Sequence, residues 1–458
     1  MAQELCNPDC LFIHVPHVSS HDSYSCSFFV NIIAMGIFSM SNEIKKNGYN
    51  PQIFNLGVEK IKNPDFDIAE YIKEHNIKLV GMSLHWHYQT YDTLLVAKHI
   101  KEINPDTHIF LGGIMSSAFA EDILKDCSYI DMVIKGEGEK PVVELVKKIK
   151  NNDYDLSNIP NLYWKDKNQN IHKNGEIWFA NEEELNSYSF DGLEFLKNYE
   201  TYLKFPMLYK NNFKEPKKLD LDDAKEIVCC LGRGCPGNCT WCGGGFNAIK
   251  EITGRNRITL RNPEIVANEF LEMKKKYDIN LFYICYDPFP NNQEYLIKLF
   301  EILGKEMPKK IRISFECFGL PTKEFVDAFA KNLERKSAII ISPEFGNEQM
   351  RFRHKAFSFT DNQLISCINY IVSKKVYLEL FFSALPFEDE KSINATRKMI
   401  NAIMPRCKKD NITIHYQPIV DVEPYSPWAL EPEKYKITPT LVELRDYIKN
   451  SKSHRDFV

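Results

Sequence analysis

Short apolar runs alternate with amphipathic stretches through the first 150 residues of the chain. Two amphipathic stretches, 32–47 and 91–103, place apolar residues at helical spacing and end beside Gly48 and before Pro105. The apolar runs have the length and composition of buried strands. They cover residues 11–15, 52–56, 79–84, 108–111 and 132–134. We therefore expect a doubly wound α/β domain over residues 1–150, with a ligand crevice beyond the carboxyl ends of its strands.

The alternation returns after a weakly periodic region, residues 151–220, that is rich in Asn, Asp, Lys and aromatic residues. We expect it to be a connection with some small local structure. Strands are predicted at residues 227–231, 281–287, 311–315, 338–342 and 377–383. Helices are predicted at residues 262–277, 293–304, 323–333 and 361–373. This repeat favours a curved or barrel-like parallel sheet over residues 221–400. We expect the C-terminal segment, residues 401–458, to pack near the mouth of that sheet.

The composition is that of a folded protein with more than one domain. Hydrophobic residues make up 44% and charged residues 26% of the 458. With 58 basic and 62 acidic side chains the net charge is −4, so no overall field favours nucleic acid or an anionic membrane surface. We therefore expect a small or locally recognised partner, and neither a nucleic acid nor a membrane.

The start of the chain and its cysteines indicate a reducing compartment. Glu4 and Asp9 precede any apolar stretch, unlike the basic start of a secretory signal. The longest apolar-leaning stretch, residues 28–40, is interrupted by Asn31 and is shorter than the roughly 20 residues that cross a bilayer. These features predict a cytoplasmic protein, in which most of the 13 cysteines are buried thiols and a few are ligands.

Three cysteines, Cys235, Cys239 and Cys242, lie together in a glycine-rich loop after a predicted strand. Thiolates suit zinc or iron–sulfur clusters, and a structural zinc ion ordinarily takes four protein ligands. No fourth ligand lies close in sequence, whereas three cysteines on a four-iron cluster leave one iron open to a substrate or cosubstrate. A zinc site completed by Cys229, Cys230 or a distant His is the alternative, although the apolar strand around those two cysteines indicates core thiols.

The Cys-x3-Cys-x2-Cys spacing, with Trp241 before the last cysteine, resembles the signature of the radical S-adenosylmethionine (SAM) superfamily. The resemblance implies that Cys235, Cys239 and Cys242 hold a [4Fe-4S] cluster whose fourth iron chelates SAM. It further implies that reductive cleavage of SAM yields a 5'-deoxyadenosyl radical that abstracts hydrogen from the substrate. An electron donor such as flavodoxin or ferredoxin is then expected as a partner.

By the same resemblance, residues on the cysteine loop and at later strand ends are expected to contact SAM. These residues are Trp241, Gly243, Gly244, Asp287, Ser342, Glu344 and Arg353. Physically, Glu344 can accept hydrogen bonds from a ribose or an ammonium, and Arg351 or Arg353 can pair with a carboxylate. Surface ion pairs are the alternative for these charged residues. For Arg255, Arg257 and Arg261 a solvated face is an equally supported interpretation.

Residues 111–114 and 133–139, which read Leu-Gly-Gly-Ile and Val-Ile-Lys-Gly-Glu-Gly-Glu, resemble parts of the cobalamin-binding domain that precedes many radical enzymes. Paired glycines after a strand let a large ring approach the backbone, although plain turn geometry explains them as well. The Asp-x-His-x-x-Gly motif that supplies an axial histidine in many cobalamin proteins is absent, which neither proves nor excludes cobalamin. The residues expected at the cobalamin are Ser83, His85, Trp86, His87, Gly112, Gly113, Gly136 and Glu137.

Two segments near the end of the chain resemble further parts of these enzymes. Residues 382–388 resemble a glycine-containing turn, but Ala384 and Phe387 stand where the family has glycine. Residues 421–433 resemble the proline-rich tail of radical enzymes with a cobalamin domain. Prolines hold this tail extended, and its aromatic residues can close the mouth of the active site or form a simple surface strap.

The expected architecture is an α/β protein with an N-terminal doubly wound, Rossmann-like domain of the cobalamin-binding type and a partial (β/α) radical SAM barrel. The resemblance implies methyl transfer through cobalamin to an unactivated carbon of a small-molecule or peptide natural-product substrate. Rearrangement, ring formation or another C–H functionalisation, with or without cobalamin, is the alternative within the family. A non-catalytic metal-binding regulatory module is the alternative outside it. No catalytic residue beyond the cluster ligands is assigned.

Overall fold

The computed structural model describes residues 7–17, 32–204, 225–290, 292–385, 388–417, 422–438, 442–452 and 457–458. Two compact units divide the chain. Unit 1 comprises Met1–Asn211, Ile249–Arg255 and Thr440–Val458, and unit 2 comprises Asn212–Ala248 and Asn256–Pro439. None of the helices in the described ranges has both the length and the apolar character needed to cross a membrane. Two residues of the turn at 382–388, Pro386 and Phe387, lie outside the described residues, as does Asp421.

Unit 1 is built on a seven-stranded sheet in the order β2-β1-β3-β4-β5-β6-β7. The strands are β1 Cys10–His14, β2 Pro51–Asn55, β3 Leu79–Ser83, β4 His108–Gly112, β5 Met132–Ile134, β6 Leu162–Lys165 and β7 Ile171–Lys173. The helices that precede unit 2 are α1 Met35–Lys46, α2 Leu56–Lys62, α3 Ile68–Glu74, α4 Thr90–Ile103, α5 Ile114–Ala118, α6 Ala120–Asp126, α7 Glu139–Lys150, α8 Glu182–Ser187 and α9 Tyr199–Leu203.

The first five strands are parallel and confirm the five apolar runs as strands of a doubly wound sheet. The last two strands, β6 and β7, are antiparallel and extend the sheet from β5. They lie in the region 151–220 that the sequence indicates as a connection. Their side chains are mostly half-buried or exposed, so these strands carry no continuous apolar run by which the sequence could reveal them.

Both faces of the parallel part of this sheet are apolar. Leu11, Val80 and Leu111 are on one face in a single buried cluster with helix residues such as Ile72 and Ile123. On the opposite face Phe12 and Phe110 meet edge to face, with ring centroids 6.0 Å apart. A parallel sheet with helices on both sides has this character, because neither face meets water. Polar chemistry in unit 1 is therefore confined to the ends of the strands.

Unit 2 contains a six-stranded sheet, in the order β15-β14-β13-β12-β11-β8, and a small ribbon of β9 and β10. The strands are β8 Glu226–Val228, β9 Gly232–Arg233, β10 Thr259–Leu260, β11 Leu281–Ile284, β12 Ile313–Cys317, β13 Ala338–Glu344, β14 Tyr377–Ser383 and β15 Ile412–Gln417. The remaining helices of the chain are α10 Phe246–Thr253, α11 Pro263–Tyr277, α12 Glu294–Glu306, α13 Lys323–Asn332, α14 Glu348–His354, α15 Asp361–Ser373, α16 Glu390–Ile403, α17 Cys407–Asp410, α18 Pro427–Leu430, α19 Pro432–Tyr435 and α20 Leu444–Asn450.

All five pairings of the six-stranded sheet are parallel, as expected for a partial barrel. The predicted strand at 377–383 and the predicted helix at 361–373 have the observed bounds. The predicted strand at 227–231 is shorter in the structure, because β8 ends at Val228 and the chain then turns into the antiparallel ribbon. The pattern of apolar and polar residues along the chain therefore predicts where the strands and helices of this unit lie.

The two faces of the six-stranded sheet differ. Phe282, Phe315, Ile341 and Leu380 are fully buried on one face, where Phe270 of α11 stacks on Phe282 with ring centroids 4.6 Å apart. Successive side chains alternate between the two faces of a strand. The residues next in sequence to these buried ones therefore lie on the other face, and the strand register brings their polar and charged members together. This polar face carries Tyr283, Ser314, Glu316, Ser342, Glu379, Ser383 and His415.

The C-terminal segment contributes to both units. Residues Val422, Trp428 and Ile437 join Phe345 and Leu385 of unit 2 in a small apolar cluster. Leu444 and Tyr447 of α20 instead belong to the large apolar cluster of unit 1. We call residues 422–437 the strap.

Candidate functional site

The three loop cysteines each accept a hydrogen bond from a backbone amide. The N–H of Gly237 donates to Cys235 Sγ at 3.4 Å, and the N–H of Gly244 donates to Cys242 Sγ at 3.3 Å. Ala356, which follows α14, donates its N–H to Cys239 Sγ at 3.4 Å. Amide hydrogen bonds to sulfur favour the thiolate over the thiol and are common around iron–sulfur clusters.

Three cysteines outside the loop have a backbone carbonyl oxygen within hydrogen-bond distance of the sulfur. Cys229 Sγ donates to Ile227 O at 4.0 Å, Cys230 Sγ to Gly232 O at 3.5 Å, and Cys407 Sγ to Ile403 O at 3.9 Å. A sulfur that donates is a neutral thiol. Cys229 is buried, as its apolar surroundings in the sequence indicate, whereas Cys230 is half-buried, and the ligand role of the loop cysteines stays a prediction.

The donor set of the loop fits a cluster that is held by three thiolates. Burial raises the pKa of the Cys235 and Cys242 thiols, so a bound cation is needed to hold them deprotonated at neutral pH. Across the ranges that the structure describes, no three His, Cys, Asp or Glu side chains are gathered closely enough to enclose a metal ion. The three loop cysteines are included in this statement, and a zinc site stays the alternative interpretation of the loop.

The strap lies directly on the cysteine loop. Glu423 Oε2 accepts the N–H of Gly243 at 2.6 Å, and the N–H of Trp428 donates to Thr240 O at 2.9 Å. The ring of Trp241 meets Phe345 edge to face at 5.8 Å and lies 6.1 Å from the ring of the fully buried Trp428. Trp241 and Gly243, both expected at SAM, are therefore packed against the strap, and contact with SAM stays a prediction for them and for Gly244.

Gly243 has no room for a side chain. A Cβ at this position would lie 2.5 Å from Pro424 O, well inside van der Waals contact. The close approach of the strap backbone to the loop backbone thus requires glycine here.

Two of the expected strand-end carboxyl groups have raised pKa values. Burial raises the pKa of Asp287 to about 7, and its Oδ2 accepts the N–H of Phe318 at 3.0 Å. Burial also raises the pKa of Glu344, whose Oε2 accepts the hydroxyl of Ser383 at 2.7 Å. The positive charge of the buried Lys355 partly opposes both shifts, so Asp287 and Glu344 share one charged neighbour.

Ser342 and Arg353 have different surroundings. Ser342 donates its hydroxyl to Glu316 Oε1 at 3.5 Å, and Tyr283 donates its hydroxyl to Glu316 Oε2 at 2.9 Å. Ser342 therefore belongs to a polar network on the sheet face. Arg353 is exposed on α14, and a contact between Arg353 and SAM stays a prediction.

Of the seven polar residues on this face, only Ser342 was expected at the site. Two of the others, Glu379 on β14 and His415 on β15, form a pair whose Oε2 and Nε2 atoms are 2.9 Å apart. Glu379 is 1% exposed, and the His415 ring stacks on Phe381 at 4.1 Å. The signal was present in the Leu-Glu-Leu stretch at 378–380, where a glutamate alternates with buried leucines in a predicted strand.

In unit 1 the structure brings six of the expected cobalamin residues to one end of the sheet. Ser83 pairs with Gly112 at the ends of β3 and β4. Gly113 has a φ of +117°, and a Cβ there would lie 2.6 Å from Leu84 O, so the turn requires glycine. The remaining three residues are His85, Trp86 and His87 in the loop after β3.

Aromatic rings dominate this loop. His85 meets Trp86 edge to face at 4.7 Å, and Trp86 lies parallel to Tyr88 at 6.3 Å. His87 lies 5.8 Å from the ring of Tyr447 in α20. Burial lowers the pKa of His85 to about 4, so its imidazole is neutral at physiological pH and keeps a lone pair that can bind a metal. These features fit a flat cofactor with a metal centre, and the individual contacts stay predictions.

Gly136 and Glu137 are held by the protein itself. The N–H of Gly136 donates to Ser117 Oγ at 3.0 Å. Glu137 accepts the Nε–H of Arg255 at 2.8 Å and the N–H of Ala180 at 3.0 Å, and the Glu137–Arg255 ion pair is almost fully buried. A cobalamin contact by Glu137 stays a prediction, and its observed role is structural.

The solvated face expected for the three arginines is wrong for two of them. Arg255 pairs with Glu137, and Arg261 pairs with Glu269 at 2.8 Å, with both arginines 1% exposed. Their partners lie in other elements, so no local pattern along the chain indicates the pairing.

Comparison with known families agrees with this geometry. Residues 230–400 match the radical SAM superfamily model, and residues 28–146 match the B12 binding domain model. The chain is thus a radical SAM protein. More narrowly, it belongs to the radical SAM proteins that carry a B12 binding domain.

Among curated proteins, an uncharacterised methyltransferase of Pyrococcus horikoshii is 26% identical over 233 residues, which are 51% of this chain and 44% of the relative. Cytidylyl-2-hydroxyethylphosphonate methyltransferase of Streptomyces wedmorensis is 21% identical over 309 residues, 61% of this chain and 54% of the relative. An anaerobic magnesium-protoporphyrin IX monomethyl ester cyclase of Cereibacter sphaeroides is 21% identical over 226 residues, 49% of this chain and 32% of the relative. The chain spans about half the length of the two methyltransferases.

Solved structures share the fold over nearly the whole chain. The radical SAM methyltransferase TsrM from Kitasatospora setae, with tryptophan substrate and a SAM analogue bound, has a TM-score of 0.66 at 14% identity and covers 93% of this chain and 76% of its own. The cobalamin-dependent radical SAM enzyme OxsB, with aqua-cobalamin bound, has a TM-score of 0.63 at 14% identity and covers 95% of this chain and 62% of its own. At this identity the likeness shows the fold.

Proposed function

We propose that this chain is a cobalamin-dependent radical SAM methyltransferase that acts on an unactivated carbon of a small molecule or peptide. The observation that carries the proposal is the hydrogen bonding of Cys235, Cys239 and Cys242, each of which accepts a backbone N–H. The presence of both family matches in one chain supports it. The two methyltransferases among the curated relatives support methyl transfer as the outcome.

The protein's residues would hold two cofactors and a cosubstrate. Cys235, Cys239 and Cys242 would hold a [4Fe-4S] cluster, and the strand-end groups of Asp287 and Glu344 would accept hydrogen bonds from the ammonium or ribose of SAM. The strand ends at Ser83, Gly112 and Gly113, with the rings that follow β3, would hold cobalamin. When bound, the cluster supplies the electron that cleaves SAM, and cobalamin supplies the methyl group.

The polar face of the six-stranded sheet would bind the substrate. Glu316 and Glu379 are held there by Tyr283 and His415, so hydrogen-bonding groups are fixed before a ligand arrives. The apolar packing of Trp241 against Phe345 and Trp428 excludes water from the side of the cysteine loop that the strap covers. We further infer a cytoplasmic location, because every cysteine in the described residues is free of a disulfide. An electron donor of the flavodoxin or ferredoxin class is inferred because reduction of the cluster needs an electron from outside the chain.

Anaerobic reconstitution with iron and sulfide tests the cluster. The wild-type protein should bind about four irons and, after reduction, give an electron paramagnetic resonance signal that SAM changes. Cys239→Ser should bind no complete cluster. The matched control Cys229→Ser should bind it normally, since a serine hydroxyl can donate to the same carbonyl. A cluster that SAM does not perturb would favour the regulatory module and contradict the proposal.

Product analysis separates methyl transfer from the other radical reactions. With SAM, hydroxocobalamin and a chemical reductant that supplies the electron for SAM cleavage, a methyltransferase should form both S-adenosylhomocysteine and 5'-deoxyadenosine, and the former should require cobalamin. Formation of 5'-deoxyadenosine alone would favour rearrangement or ring formation, which the cyclase among the curated relatives makes the second candidate. Failure to bind hydroxocobalamin while the cluster and SAM bind would exclude methyl transfer through a corrin.

A further inference from the structure

The strap holds the cysteine loop at two backbone positions that flank Trp241. Glu423 accepts the N–H of Gly243, next to Cys242, and Trp428 donates to Thr240 O, next to Cys239. Trp428 is fully buried against Trp241, so the strap is anchored by packing as well as by hydrogen bonds. A segment near the end of the chain thus fixes the loop that carries the ligands.

Glu423 also brings a negative charge to this loop. Its Oε2 accepts the N–H of Gly243, the residue that directly follows Cys242, so the carboxylate is fixed beside a cluster ligand. The field at Cys242 therefore disfavours added negative charge.

We propose that Glu423 is a positioning residue that lowers the reduction potential of the cluster held by Cys235, Cys239 and Cys242. The inference rests on the proposed function, since it requires the cluster. Reduction adds one electron from an external reductant and breaks no bond, so a fixed carboxylate beside a ligand raises the energy of the reduced form. A lower potential makes the reduced cluster a stronger donor to SAM, and the hydrogen bond to Gly243 holds the carboxylate at the required place.

Redox titration of the reconstituted full-length protein, followed by electron paramagnetic resonance, tests the proposal. Glu423→Gln keeps an oxygen that accepts the N–H of Gly243 and removes the charge, so its midpoint potential should become more positive. We expect about a tenfold change in the reduction equilibrium, about 59 mV for one electron. Glu433→Gln is the matched control, because Glu433 lies in the same strap and is exposed. The control should titrate as the wild type.

The outcomes separate this inference from the proposed function. If the wild type holds no cluster, the proposed function fails. If the wild type and Glu423→Gln hold clusters that titrate together, only the role of Glu423 fails. If Glu423→Gln binds less iron than the wild type, the midpoint potentials of Glu423→Asp and Glu423→Ala are compared instead. The aspartate keeps the charge, so its potential must lie below that of the alanine variant, and equal potentials would overturn the proposal.

Discussion

The two parallel sheets of this chain place their polar residues differently. The sheet of unit 1 is apolar on both faces, and its polar groups lie at the strand ends and in the loops that follow, as at Ser83 and His85. The sheet of unit 2 is apolar on one face and polar on the other, where Glu316, Glu379 and His415 lie within strands. A search restricted to strand ends therefore finds the candidate site of the first unit and only part of the candidate site of the second.

The largest expected loss of stability comes from a substitution on the apolar face of β13, compared with the same substitution of the adjacent residue on its polar face. Ile341 lies on the apolar face, and its replacement by Asn would remove a buried side chain and bury an amide without partners, at a cost of about 4–6 kcal/mol in the free energy of unfolding. Ile340→Asn places the amide among polar groups and should cost clearly less. Denaturant titration measures both, and equal costs would contradict the difference between the two faces.

A buried ion pair at a strand end of unit 1 should give the next largest effect. Arg255→Ala leaves the Glu137 carboxylate buried without its cation, which should cost about 3–5 kcal/mol of stability. The exposed pair of Lys140 and Glu176 is the control, since Lys140→Ala should cost less than about 1 kcal/mol. The double change of Glu137 and Arg255 to alanine should cost less than the sum of the single changes, and additive costs would argue against a coupled pair.

The two glycines at the end of β4, Gly112 and Gly113, should differ in the stability that is lost when each is replaced by alanine. Gly113→Ala forces an alanine into a φ of +117° and against Leu84 O, at a cost of about 1–3 kcal/mol. Gly112→Ala meets nothing within 4 Å and should leave the melting temperature nearly unchanged. Titration with hydroxocobalamin then sharpens the comparison. If Gly112→Ala is as stable as the wild type but binds cobalamin more weakly, Gly112 is a binding position.

The smallest predicted effect is a change in the pH dependence of stability. The pKa of Asp287 is about 7 in the folded protein, above its ordinary value of 3.8, so the folded state binds more protons between these values. Stability contributed by this group should fall as pH rises toward 7, by at most about 1.4 kcal/mol per pH unit. Asp287→Asn should flatten that slope in denaturant titrations at pH 5, 6 and 7, and an unchanged slope would contradict the assignment.

Much of the fold could be predicted because each regular element has its own local pattern. Buried parallel strands are apolar runs, as at 79–84, and the helices that cover them are periodic, as at 361–373. The cysteine loop could be predicted for the same reason, since its three ligands are compressed into one short stretch. The β6–β7 hairpin could not, because its half-exposed strands lack such a pattern.

The remaining site residues depend on contacts between distant positions. Glu423 and Gly243 are 180 residues apart, and Glu137 and Arg255 are 118 apart. A glutamate before a proline-rich segment, or an arginine in a basic stretch, gives no sign of which partner it will meet. The dyad of Glu379 and His415 joins two strands in the same way.

The β6–β7 hairpin has a practical consequence for dividing the chain. It covers β5, whose residues Met132, Val133 and Ile134 are all buried, and it ends the sheet with a three-residue strand that carries His172 and Lys173. A fragment that stopped at residue 150, where the sequence places the end of the first domain, would leave β5 as a bare apolar edge. Such an edge pairs readily with other chains, so the shorter fragment should aggregate where one that retains the hairpin stays dispersed.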